Sequence, residues 1–307
     1  FGIIQMGHLA SLPFVDNDRE TLILNNFPES REVPYRLSRN NTLKTLNAAG
    51  TRISYPPKNA TRLKVLLLNN NNIKAIKSKY VRLFQQCTSL EQIGLSGNLL
   101  ETVPQRILDM PTLKAIDVSY NKLTTIQINL TTLEKLDLNN NRFEVQPSFV
   151  EGNQVSVITI DFNLLTEIDL MRYPKLTKIS AIMNFIENVI ITQQLQSLTN
   201  ITLQKNRLRN LPDFKRLTPN LTILDVSENM LTQFPSLPDG MRKIIVDDNE
   251  ISTTEDLARF TRLDTFSISK NKITHLGVIP ETVTTLNLSH NAELVQIEQS
   301  SIPRIKQ

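Results

Sequence analysis

The chain has 307 residues, 34 Lys and Arg against 30 Asp and Glu, a net charge of +4 and a single cysteine, Cys87. One cysteine excludes an internal disulfide framework, and cations scattered without a basic, aromatic-bearing stripe argue against nucleic-acid binding. No apolar run approaches the roughly 20 residues of a membrane-spanning helix.

Residues 1–40 open with "FGIIQMGHLA", which lacks the basic lead of an intact signal peptide. They are assigned to an N-terminal cap or degenerate repeat, with a partial unit at Leu22–Phe27. From Leu43 a single frame recurs, L-x-x-L-x-L-x-x-N-x-L. Its first copy, "LKTLNAAGTRI", carries Thr51 in the Asn place, and the next, "LKVLLLNNNNIKAI", carries Asn71. The frame then returns with Asn98, Asn121, Asn141, Asn163, Asn184, Asn206, Asn229, Asn249, Asn271 and Asn291, mostly at intervals of 20–23 residues. Of the four asparagines Asn69–Asn72, only Asn71 holds the repeating place, and the others are read as ordinary loop residues. In the last copy Leu294 stands three residues after Asn291 instead of two.

The L-x-L centre of each copy predicts a short strand of period two, with Leu136 and Leu138 inward and Asp137 outward. One copy cannot bury its aliphatic side, and stacked copies close a continuous core. The Asn amide can satisfy backbone groups where the chain leaves the strand. The longest interval contains "KSKYVRLFQQCTSL", whose Val81, Phe84, Cys87 and Leu90 predict a short helix. Gln193–Leu198 and Thr254–Leu263 are weaker helix candidates.

The frame resembles the leucine-rich repeat superfamily, and the typical extracellular type in particular, although cysteine-rich caps and the Gly-x-I-P segment of plant receptor units are absent. The resemblance implies an α/β repeat, a right-handed leucine-rich repeat solenoid with a concave parallel β-sheet. It assigns residues 41–294 to the array and 295–307 to a truncated C-terminal end of a longer protein.

No arrangement in the sequence supports catalysis. His8, His275 and His290 are far apart, and there are eight glycines and no phosphate loop. Asp117, Asp137 and Asp225 share the outward strand position, and paired carboxylates could serve a glycosidase or a cation site. A solvated role is the simpler reading. We therefore expect no enzyme activity, no metal and no cofactor.

Recognition on the concave face is the better fit. Tyr120, Phe162, Ile182 and Met183 place apolar side chains near the strand ends of neighbouring copies. Asp117, Asp137 and Asp161 flank them and would suit a protein or peptide ligand carrying an apolar anchor beside a cation. Val65 and Leu67 form a second, weaker candidate. Six N-x-S/T sequons occur, about as many as 30 Asn and 49 Ser or Thr in 307 residues give by chance. Asn59, Asn129 and Asn220 are the candidate glycan acceptors. The expected function is the ectodomain of a cell-surface receptor or a secreted recognition protein. The alternatives are a cytosolic adaptor or scaffold and a recognition domain attached to a catalytic domain such as a kinase.

Overall fold

Every copy of the frame contributes one three-residue strand, and within each of two compact units the strands stack in parallel without a shift in register. The computed structural model describes residues 20–25 and 42–297. Most of the expected cap over 1–40 and of the end over 295–307 lies outside these residues, as do His8 and Asn40. The chain divides into two compact units, residues 1–143 with 147–155, and residues 144–146 with 156–307.

In the first unit the strands Thr21–Ile23, Thr45–Asn47, Val65–Leu67, Gln92–Gly94, Ala115–Asp117 and Lys135–Asp137 pair in that order, all parallel. Leu46, Leu66, Ile93, Ile116 and Leu136 are successive Cα partners and are buried. In the second unit Val157–Thr159, Lys178–Ser180, Asn200–Thr202, Ile223–Asp225, Lys243–Ile245, Thr265–Ser267 and Thr285–Asn287 follow the same rule. Ile158, Ile179, Ile201, Leu224, Ile244 and Phe266 form its central buried column. Strands this short are normally marginal. Here each is flanked by neighbours that bury the same side, so β-branched and γ-branched side chains at one register position build a column. Leu286, on the last described strand of this sheet, and Leu288, one residue past its end, are expected inward and are half-buried.

The return segments hold the few helices. Ser78–Gln85 is helical and buries Val81 and Phe84, whereas Cys87 and Leu90 pack just beyond its end. Gln193–Leu198 forms no helix, and Thr254–Leu263 contains only a 3-10 turn at Leu257–Arg259, capped by the Asp256 carboxylate. Single-turn helices stand at Gln105–Leu108, after Pro104, and at Phe214–Leu217, where Asp213 accepts a hydrogen bond from the Arg216 N–H at 3.3 Å. Four residues are too few for a helical period to show in sequence. Small parallel pairs cover other return segments, Gln127–Ile128 with Ser148–Phe149 in the first unit and Glu167–Asp169 with Asn188–Ile190 in the second.

Candidate functional site

The repeated asparagine fixes how each strand ends. Asn206 Nδ2 donates to the carbonyls of Ala181 at 2.9 Å and Leu203 at 3.0 Å, and its Oδ1 accepts from the Ile186 N–H at 3.0 Å. The same three bonds recur at Asn98, Asn121, Asn141, Asn184, Asn229, Asn249 and Asn271, each tying its own copy to the preceding one. These side chains are buried, so the bonds replace water that cannot reach them. Thr51 does part of this work, its hydroxyl donating to the Ala48 carbonyl at 2.8 Å.

The residue just before each asparagine is left-handed. Asn70, Tyr120 and Asn140 in the first unit, and Phe162, Met183, Lys205, Glu228, Asp248, Lys270 and His290 in the second, all have φ between 51° and 59°. That backbone sends the N–H into the next copy: Tyr120 donates to Asn139 O at 2.8 Å, Phe162 to Ile182 O at 2.8 Å, and Met183 to Gln204 O at 2.9 Å. The asparagine run Asn69–Asn72 therefore has more than one assigned role. Asn69 Oδ1 accepts from the Ser96 N–H at 3.1 Å, and Asn70 and Asn72 are both left-handed. Gly97 takes φ of +65° beside Asn70, where a Cβ would lie 1.9 Å from Asn70 Oδ1.

Tyr120, Phe162 and Met183 thus sit on the turn edge and not on the sheet face where the strand pattern put them. Ile182, one position earlier, is half-buried. Tyr120 belongs to the first unit and the other three to the second. In the second unit the edge carries two further exposed apolar residues that the sequence reading missed, Leu164 and Phe185. Exposure is 47% for Phe162, 40% for Leu164, 42% for Met183 and 38% for Phe185. They occupy the positions immediately before and after Asn163 and Asn184, so they lie on two consecutive turns. The Arg207 guanidinium stacks over the Phe185 ring at 4.6 Å. Val65 and Leu67 are half-buried on the first unit's sheet.

Left-handed backbone favours Gly and Asn and strains a bulky side chain by about 1 kcal/mol. Phe162→Asn relieves that strain while giving up partial burial, so thermal or urea unfolding is expected within about 0.5 kcal/mol of wild type. A loss above about 2 kcal/mol would mean that the ring is a packing element.

The flanking aspartates serve the backbone. Asp117 accepts from Ser119 N–H at 3.0 Å and Ser119 Oγ at 2.6 Å, and Asp137 accepts from Asn139 N–H at 3.0 Å. Asp161 accepts from Ser180 Oγ and Ile182 N–H, each at 2.7 Å. Burial pushes the Asp161 carboxyl up, against the pull of those two donors and of Lys178. Asp117 and Asp137 are Cα partners on adjacent strands, as expected from the frame. Their bonds make them strand-end clips and weaken their expected role as a free acidic rim.

Chemistry is otherwise sparse. Among the described residues no group of three His, Cys, Asp or Glu could hold a metal ion, and no helix is long and apolar enough to cross a membrane. Cys87 is buried, its thiol pushed up to about 12 by desolvation, which makes it a poor nucleophile at neutral pH.

Known proteins resemble this chain along most of its length. A family model described as leucine rich repeat matches residues 61–123 and 88–143. Lumican of Gallus gallus is 28% identical over 256 residues, covering 80% of this chain and 61% of lumican. Oligodendrocyte-myelin glycoprotein of Mus musculus is 29% identical over 157 residues, 48% of this chain and 35% of that protein. The chain thus spans less than two thirds of either relative. The solved structure of YopM, a leucine-rich effector protein from Yersinia pestis, superposes with a TM-score of 0.69 at 27% identity, over 93% of this chain and 86% of that one.

Proposed function

Since the chain is a leucine-rich repeat protein, we propose that it is a recognition module that binds a protein partner through the apolar turn edge of its second unit. We further propose that it acts outside the cell, as a secreted protein or the ectodomain of a cell-surface receptor. The observation that carries the binding reading is the set Phe162, Leu164, Met183 and Phe185. Four partly exposed apolar side chains on two consecutive turns differ from the single exposed apolar residues of an ordinary surface. Phe162 and Met183 are held there in a backbone conformation that disfavours them.

The extracellular reading is supported by extracellular relatives such as lumican and by the placement of the sequons. Asn59, Asn129 and Asn220 are exposed in the return segments, whereas Asn200 and Asn287 are half-buried on the sheet. Mass spectrometry of the chain secreted from eukaryotic cells is expected to find glycan on at least one of the three exposed acceptors. An unmodified chain would remove the extracellular reading.

The binding reading is tested with a panel of purified ectodomains and secreted proteins. A saturable partner is expected whose Kd rises roughly thirtyfold in Phe162→Asn, equivalent to about 2 kcal/mol. Partners that bind wild type and Phe162→Asn equally would overturn it.

A further inference from the structure

The charges beside the apolar edge specify what the partner brings, given the binding reading above. On the turns that follow, the edge charges neutralise one another. Lys205 pairs with Glu228 at 3.5 Å, Lys270 with Asp248 at 3.2 Å, and Lys272 with Glu250 at 2.8 Å. Arg207 is different. It is exposed, it stacks on Phe185, and it makes no ion pair among the described residues. The carboxylate of Asp161, two copies earlier in the chain, is engaged by Ser180 and Ile182. Glu167 begins a return strand and Glu187 immediately precedes one, each beyond a buried aliphatic residue, Leu165 and Ile186.

We propose that the edge receives a segment of a partner protein in which an apolar side chain lies next to an Asp or Glu carboxylate. The apolar side chain would cover Phe162, Leu164, Met183 and Phe185. The carboxylate would meet the Arg207 guanidinium, which offers donors in a planar fork suited to two-point contact. Stacking on Phe185 orients that fork in advance, so little side-chain freedom is lost when the contact forms. The desolvated apolar contact lends the ion pair a lower local dielectric than it would have on open surface. A basic segment would instead meet an unpaired cation, which reverses the polarity expected from the sequence, where Asp117, Asp137 and Asp161 suggested a cationic partner.

A library of short random peptides displayed on phage, panned on the whole chain, tests this. The enriched peptides are expected to carry an aromatic or aliphatic residue within a few positions of Asp or Glu. Their affinity should fall about tenfold in Arg207→Ala, and by a similar factor when the peptide carboxylate is changed to the amide. It should also fall in the double variant Phe162→Asn, Phe185→Ser, with circular dichroism confirming that each variant is folded. Peptides that need the apolar residues but contain no acid and ignore Arg207→Ala would overturn the carboxylate inference and leave the edge as a binding site. Peptides that bind the double variant as well as wild type, or a library from which nothing is enriched at this edge, would overturn both.

Discussion

Replacing Phe266 by alanine is expected to destabilise the chain by about 4 kcal/mol, the range for a fully buried aromatic ring. The ring is 0% exposed at the centre of strand Thr265–Ser267, with Ile244 and Leu286 as its Cα partners. It meets Phe234 edge-on, with centroids 6.3 Å apart. Every other member of this column is aliphatic, so the column itself holds no second ring to take its place, and the cavity adds to the lost transfer energy. Because stacked copies contribute neighbour by neighbour, the effect should be concentrated in the adjoining copies. Urea unfolding with hydrogen exchange would show faster exchange around Ile244 and Leu286. A change below about 1 kcal/mol would mean that the column is not packed as described.

The second large effect is expected at the asparagine ladder. Asn121 Nδ2 donates to Leu95 O and Val118 O, both at 3.0 Å, and Oδ1 accepts from Leu100 N–H at 2.9 Å. The two carbonyls keep other donors, since Asn98 also reaches Leu95 O and Asn141 also reaches Val118 O. The Leu100 N–H has no such reserve. Asn121→Ala therefore orphans one buried donor and removes three further bonds, the third to Ser119 O at 3.0 Å, for a loss of about 3 kcal/mol. Asn121→Thr is expected to recover part of it, as the Thr51 hydroxyl does with Ala48 O. Equal unfolding midpoints for wild type and Asn121→Ala would contradict the ladder.

Most of the fold could be read from the sequence because the frame states it repeatedly. Ile158, Leu224 and Val226 are buried where the L-x-L period places them. The turn edge was harder to read. The position before the repeating asparagine accepts Gly, Asn, Tyr, Phe, Met, Lys, Glu, Asp and His, because its constraint is backbone conformation and not side-chain chemistry. Tyr120, Phe162 and Met183 therefore looked like face residues. Leu164 and Phe185 were missed because they sit beside buried Leu165 and Ile186 and pass for core. The frame did hold the signal. The x of N-x-L points outward, and Lys122, Arg142, Arg207, Glu250 and Lys272 occupy it elsewhere. The bonding of Asp161 was hard to read for another reason. The donors that satisfy Asp161, Ser180 Oγ and the Ile182 N–H, are on the next copy, 19 and 21 residues away.

The claim that recognition takes place on the turn edge of the second unit is tested most directly by photocrosslinking. A benzoylphenylalanine would be placed at Phe162 or at Phe185, and for comparison at Thr202, which is half-buried on the sheet. Each chain would be irradiated with its bound partner. The account predicts a covalent adduct with the partner from positions 162 and 185 and little from position 202. Adducts from position 202 with none from 162 or 185 would place recognition on the sheet face and contradict it.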